Sequence, residues 1–369
     1  MKPFFFIFSL FVLLLTGSAA SGQGNYAISG NVTDDKGAPL KSATVFISGS
    51  QKIMMCDAGG HFKFEHLNVG NYQLTVTMIG YVTFSQNVAI QNKSAHVDIQ
   101  LKIQDNQLAE VRIGGKDNFE KHYQTFKELF LGKTKNGRAC TIINPRVLNF
   151  STKKKILFAD ASDFLIIENP RLGYRIKYLL KQFSYNSNTG ITLYTGETNF
   201  EPMKGTPQMQ ATWDKNRLAA YKGSLMHFLR SVYRNRVLRE GFIINPILER
   251  DDSNPPIITY DARPVAFDTL RRIVDSSFVG LRFKRLLYSY DPSRAKTIQT
   301  NITTPVLKER LVDNDITQIT LFNEEAIIDQ NGAHRDYRDF LVEGSLGANR
   351  VGDQLPFEYQ PPNLTLVTP

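Results

Sequence analysis

Ile28, Gly30 and Val32 alternate with polar neighbours, and Val45 and Ile47 do the same a turn later. A period of two is the mark of a strand with one face buried. Between the two runs, "DDKGAP" offers Gly37 for a positive φ and Pro39 to restart the chain, so it predicts a tight turn. Further short runs follow in "HFKFEHL", "YQLTVTMIGY", "VTFSQNVAI" and "AHVDIQL", the first of them separated by "DAGG" and "NVGN". Short strands at this spacing, with Gly and Asn turns, predict a small β-sandwich filled by Phe62, Phe64, Leu67, Tyr72, Leu74 and Val76.

The period then changes. In "NFEKHYQTFKELFL" (residues 118–131) Phe119, Tyr123, Phe126 and Phe130 fall at helical spacing, which predicts an amphipathic helix docked on a second domain. Strand-like runs return in "KKILFADAS", "FLIIEN", "GYRIKYLLKQFSY" and "ITLYTGETNF", with "NSNTG" joining the last two as a hairpin. A further β-rich part, from about Phe242 to Tyr359, includes "FKRLLYSY", "TQITLFN" and "EEAIIDQNG". Between these sheets, Leu218, Tyr221, Leu225, Phe228, Leu229 and Val232 form one apolar stripe, predicting a long amphipathic helix with a break or close backbone approach at Gly223. Beyond Asn235 the stripe would place Arg236 and Arg239 on the apolar face, so either the helix ends there or those groups meet carboxylates or an anion.

The fold expected is therefore β-rich, α+β overall. A seven-strand-type sandwich of transthyretin or immunoglobulin kind comes first, and a larger α+β region with a long amphipathic helix follows. The expected division is a signal peptide at 1–22, the sandwich at 25–102, a linker at 103–117, the α+β domain at 118–360 with a possible split near 241, and a tail at 361–369.

The first residues set the compartment. "FFFIFSLFVLLL" is an apolar run after a short positive start, and small residues follow it. A spanning helix needs roughly 18 or more apolar residues, so this run is read as a signal-peptide core rather than a membrane anchor. The mature chain is expected to start at Ser21 or Gln23, without an acyl group, in the periplasm, at the outer membrane or outside the cell. Cys56 and Cys140 could pair in an oxidising compartment, but nothing resembling C-x-x-C is present and two buried thiols are the simpler expectation.

Composition, 42% hydrophobic and 21% charged, excludes collagen, coiled coil and disorder. The formal charge is +9, with the excess in the middle of the chain. An exported basic protein meets lipid head groups and acidic glycans rather than nucleic acid. Lys222, Arg230 and Arg234 fall beside or opposite the apolar stripe of the long helix and are the candidate contacts to an anion or an anionic surface; the plainer alternative is a solvated basic face with one ion pair.

Candidate chemistry is sparse. None of His61, His66, His96, His122, His227 and His334 has Glu three residues later, so a zinc carboxypeptidase site is not encoded, and no metal ligand, catalytic residue or cofactor is expected. "GKT" at Gly132–Thr134 has Lys127 where a phosphate loop needs its first Gly, and "EGSLG" is one residue short of a nucleophile elbow. Asp34-Asp35 and Asp251-Asp252 lack the ligand ladder of a calcium loop. Asp160, Asp163 and Glu168 could make a carboxylate pair, but a strand-rich surface offers such pairs everywhere.

"GNVTDDKGAPLKSATVFI", followed by "DAGGHFKFEHLNVGNYQLTVTMIGY", resembles the carboxypeptidase-regulatory-like domain of Gram-negative envelope proteins, over roughly residues 26–102. Cys56 stands where that family commonly has Thr. The module often precedes the plug of TonB-dependent receptors, and "NQLAEVRI" resembles the linker into such a plug. A receptor barrel of some 20 strands does not fit in the remaining length. "LGKTKNGRACTIINPRVLNF", "IENPRLGYRIKYLLKQF", "NRLAAYKGSLMHFLRSV" and "LPFEY" resemble an uncharacterised envelope class carrying the same module. The resemblance implies a non-enzymatic binding or accessory role toward an envelope protein, a glycan or the membrane surface. The alternative is a hydrolase whose site is assembled from scattered residues of the C-terminal region.

Overall fold

The computed structural model describes residues 25–104, 116–253, 255–298, 306–311, 316–336 and 339–362. The expected signal peptide, most of the expected linker and most of the tail lie outside them.

The first module holds β1 (Tyr26–Thr33), β2 (Thr44–Ile47), β3 (Ile53–Met55), β4 (His61–Leu67), β5 (Gly70–Thr77), β6 (Phe84–Ile90), β7 (Ala95–His96) and β8 (Ile99–Gln100). One sheet runs β4-β1-β7, with β8 also on β1, and the other runs β3-β2-β5-β6. The last strand of the expected sandwich is thus split into two short pieces, both parallel to β1. The "DDKGAP" turn forms as expected, with the amides of Lys36 and Ala38 donating to Asp34 Oδ1 at 2.9 and 2.8 Å. Ile28, Val32, Phe62, Phe64, Leu67, Leu74 and Val76 are buried together between the sheets, while Tyr72 is half-buried.

Phe46 departs from the alternation. It is 0% exposed although it points away from the sandwich core, because its ring meets Phe164, just outside the second sheet's strand Leu165–Asn169, edge-on at 5.5 Å.

The second body begins with α1 (Lys116–Leu131) and α2 (Lys135–Ala139). Its strands are β9 (Thr141–Ile142), β10 (Leu148–Lys153), β11 (Ile156–Ala161), β12 (Leu165–Asn169), β13 (Tyr174–Asn186) and β14 (Thr192–Pro202). They form a sheet in the order β10-β11-β13-β12-β9, with β14 along the other side of β13. The inward rows, among them Leu157, Ala159, Ile176, Tyr178 and Phe183, are covered by Phe126 and Phe130 of α1. The helix is thus amphipathic as its spacing predicts, and its stripe is spent on the sheet.

The expected long helix is two helices, α3 (Pro207–Tyr221) and α4 (Leu225–Tyr233). Gly223 takes φ +76 between them, and a Cβ there would lie 2.9 Å from the Tyr290 ring, so a glycine is needed both for conformation and for space. Ser224 restarts the helix by accepting the His227 amide. The second helix ends before Asn235, whose φ is +53, and Arg236 and Arg239 therefore leave the apolar stripe. Phe228, Leu229 and Val232 are buried by a third group of strands. These are β15 (Phe242–Asp251), β16 (Ile257–Asp261), β17 (Arg271–Ile273), β18 (Phe278–Leu281) and β19 (Arg285–Tyr290). After the short α5 (Pro292–Thr297) come β20 (Val306–Arg310), β21 (Ile316–Leu321), β22 (Ala326–Asp329) and β23 (Phe340–Gly344). A larger sheet runs β20-β16-β15-β19-β21-β23 and a smaller one β17-β18-β22. Cys56 and Cys140 are separate buried thiols, and burial pushes the thiol of Cys140 up to about 12.

Candidate functional site

The strongest concentration of buried polar groups lies where α4, the sandwich and the C-terminal strap meet. Arg230 sits on the buried side of α4 at 0% exposure. Its guanidinium donates to three main-chain carbonyls: Asn331 at 3.0 Å, Phe357 at 3.0 Å and Tyr359 at 2.9 Å. Only the planar fork of Arg matches three acceptors spread over two segments. The strap it grips is "LPFEY". The same strap pairs with the sandwich, since the Phe357 amide donates to the Gly49 carbonyl at 2.8 Å. The Gln51 amide in turn donates to the Glu358 carboxylate at 3.1 Å. On the other side of that loop, the Gly49 amide donates to the Thr198 carbonyl at 2.7 Å, and the Asn199 side chain donates to the Ser50 carbonyl at 2.9 Å. The β2–β3 loop of the sandwich is therefore held between β14 and the strap.

Asp329 makes the second tie. It ends β22 and is 1% exposed. Its carboxylate accepts from the amides of Asn331 (2.8 Å) and Ala333 (3.1 Å) in its own loop, and from the Asn71 amide of the sandwich at 2.8 Å. Gly70 is small for this reason: a Cβ there would stand 2.8 Å from the carboxylate. Burial raises the Asp329 carboxyl to about 6, and the amide donors and Arg230 only partly oppose it. The folded state therefore holds a proton that the unfolded chain releases between about pH 4 and pH 6, and this group favours folding as pH falls through that window. Burial acts the opposite way on His227, lowering its pKa, so His227 disfavours folding as pH falls below its ordinary 6.5. Comparing the wild type with Asp329→Asn cancels the histidine. The gap in unfolding free energy between the two should widen by about 1 kcal/mol in favour of the wild type from pH 7 to pH 5. Urea titrations at both pH values measure it, and a gap that is constant or narrows refutes the assignment.

The third group is His227, Glu240 and Arg234. The Gly223 amide donates to His227 Nδ1 at 3.1 Å, which places the ring proton on Nε2, 3.1 Å from Glu240 Oε2. Arg234 donates from Nε to Oε1 at 3.1 Å and from Nη2 to Oε2 at 2.8 Å. The imidazole is packed among the rings of Tyr221, Phe242 and Tyr290. Both ring nitrogens and both carboxylate oxygens are thus occupied from within the chain. The triplet braces the break at Gly223 against the end of α4.

These positions correct the expected basic face. Lys222 is exposed, but Arg230 is fully buried and Arg234 is 8% exposed, so the three do not form one solvated surface. The apolar stripe has a partner on nearly every side, and the arginines are drawn inward by carbonyls and by Glu240. Asp160, Asp163 and Glu168 each take a different partner: Asp160 accepts from Asn149, Asp163 from the Phe164 amide, and Glu168 pairs with Arg175 at 2.7 Å. Thr134 of "GKT" caps α2 and donates to Asp353. The "ENPRLGY" stretch is a turn clamped by α3, with Trp213 donating to the Pro170 carbonyl at 2.8 Å and Arg217 to that of Leu172 at 2.7 Å. Among the described residues no group of three or more His, Cys, Asp or Glu is placed to hold a metal ion, and no helix is long and apolar enough to cross a membrane. An open groove of about 330 Å³ runs along Glu249, Arg250, Ile257 and Lys308. Its Arg250 is already held by Glu343 in a two-point pair at 2.8 Å.

Sequence reasoning missed Asp329 as a tie to the sandwich, since Asn71 lies 258 positions away. Only the local "DQNG" loop hinted that this carboxylate organises a turn.

Comparison with known proteins adds one specific result. No curated protein matches the chain. Several solved structures resemble parts of the chain at a distance. A type II cohesin–X-dockerin complex from Acetivibrio cellulolyticus is 22% identical over 21% of this chain and 57% of that one, with a TM-score of 0.18. A DUF3823 family protein from Bacteroides ovatus is 9% identical over 49% and 82%, with a TM-score of 0.18. A protein from Bacteroides uniformis named as a candidate carbohydrate-binding protein is 8% identical over 78% and 100%, with a TM-score of 0.19. The chain spans less than two thirds of the cohesin–dockerin structure it matches. The family model, by contrast, aligns with the first module itself: residues 28–113 are a carboxypeptidase-regulatory-like domain.

Proposed function

We propose that this is a non-enzymatic, exported cell-envelope protein, an accessory module that binds an envelope protein, a glycan or the membrane surface. One observation carries the reading. The groups best suited to chemistry by burial, Arg230, Asp329, His227 and Glu240, bond to the chain's own amides, carbonyls and side chains; Asp329 ties the regulatory-like sandwich to the C-terminal body directly, and Arg230 does so through the strap that pairs with Gly49. An active site would aim such groups at a substrate. A body whose parts are tied together in this way, with exposed loops and strand edges, suits a binding role instead. Export rests on the apolar run at Phe4–Leu15 and the small residues after it.

The test is saturable binding without turnover. The mature chain, immobilised, is exposed to separate lipid-free protein and glycan fractions of an envelope extract. The expected result is one-to-one capture of a component that is recovered chemically unchanged. A component recovered cleaved, with cleavage lost in His227→Gln or Glu240→Gln, overturns the proposal in favour of a hydrolase.

A further inference from the structure

We propose that the paired hairpin tips at one end of the second sheet dock on an anionic lipid surface, an inference that rests on the binding role above and names one partner for it. The first tip is Lys153-Lys154-Lys155, all three exposed. Lys153 pairs with Ile156, so Lys154 and Lys155 form a two-residue turn, with φ of 49° and 64°. Positive φ at both positions is the turn type that Asn-Gly fills most easily, and side chains with a Cβ are strained there. The chain thus places two lysines where a cheaper pair exists. None of the three forms an ion pair among the described residues, which leaves their charge for an outside partner.

The second tip is the β13–β14 turn. The Ser187 amide and hydroxyl donate to the Lys155 carbonyl at 3.2 and 3.0 Å, tying the two tips together. Register then places one transverse row, Lys153, Ile156, Asn186 and Ile191, on the outer face of the sheet. The next row on that face is Ser151, Phe158, Ser184 and Leu193. This is the face opposite α1. Ile191 is 56% and Leu193 57% exposed, and Ile156 and Phe158 are half-buried beside them. Cations at a tip with aliphatic side chains next to them match a membrane surface, where phosphate head groups meet acyl chains. A soluble polyanion would satisfy the lysines and leave Ile191 and Leu193 in water.

Each basic side chain near an anionic membrane raises partitioning roughly five-fold, so three give about a hundred-fold. The full chain is mixed with vesicles of phosphatidylcholine, with and without phosphatidylglycerol, and sedimented. Binding should require phosphatidylglycerol and fall as salt shortens the Debye length toward 8 Å or less. Lys154→Asn with Lys155→Gly should lower partitioning by about twenty-five-fold while raising the melting temperature, because the turn is relieved. Ile191→Ser with Leu193→Ser should weaken vesicle binding and leave retention on dextran sulfate unchanged. The proposal is overturned if the Asn-Gly variant binds vesicles as well as the parent. It is equally overturned if dextran sulfate and vesicles are bound alike and the serine variant matters to neither, which would assign the tip to a polyanion. Capture from the lipid-free fractions described above is independent of these hairpin changes, so a failure here leaves the binding role standing.

Discussion

Arg230→Met should lower the unfolding free energy by about 3–5 kcal/mol. The change removes the donor from three buried carbonyls, on Asn331, Phe357 and Tyr359, and each carbonyl left without a partner costs about 1–3 kcal/mol before relaxation. Methionine keeps most of the packing volume, so the loss reports hydrogen bonding rather than a cavity. Arg230→Lys is the informative companion. An ammonium retains the charge but not the planar fork, and it should recover less than half of the loss. Because the same arginine holds the strap that pairs with Gly49, the Met variant should also be cut by protease near Leu355–Tyr359 at lower urea than the wild type. Equilibrium unfolding in urea measures the first effect. A cost under 1 kcal/mol for the Met variant would show that water replaces the guanidinium, and that the strap is held by Gly49 and Gln51 alone.

Phe130→Ala should cost about as much, roughly 3–5 kcal/mol, as for other fully buried aromatics. Phe130 is 0% exposed, stacked on Phe126 at 4.7 Å and met edge-on by Tyr178 at 4.8 Å and Tyr194 at 5.3 Å. It is the point where α1 closes the second sheet, so a cavity there cannot collapse without moving the helix. Phe119, three turns earlier on the same stripe, is half-buried, and its loss should cost about 1 kcal/mol or less. Comparable losses at both positions would mean that α1 is seated differently from the arrangement described.

The contrast between Phe119 and Phe130 marks how far the sequence reaches. Spacing placed both on one helical face, because i, i+4 and i+7 neighbours share a side whatever the surroundings. Period-two alternation likewise placed Ile28, Val32, Phe62, Phe64 and Leu74 in the sandwich core, and the turn chemistry of "DDKGAP" formed as written. These are local consequences of backbone geometry and need no knowledge of what lies opposite. The regulatory-like module was legible for the same reason: its Gly, Asp and Pro sit at turns that the local backbone demands.

What only the tertiary structure decided is what each face meets. Phe46 read as the outward position of a strand and is buried, because Phe164, far along the chain, meets its ring. Arg230 and Arg234 read as a basic face and are interior, because carbonyls from residues 331, 357 and 359 and the carboxylate of Glu240 surround them. Nothing within a helical turn of either arginine announces those partners. Asp329 and Asn71 are joined across 258 positions by one amide–carboxylate bond, and no periodicity spans such a distance. Even the lysine run at 153–155, visible as charge, acquired its meaning only from register, which set Ile156 and Ile191 in the same row and Phe158 and Leu193 in the next. The sequence by itself determined where strands, turns and helices form, since those depend on neighbours along the chain. The fold decided which polar groups are spent inside and which are left exposed, since that depends on residues the chain brings together from far apart.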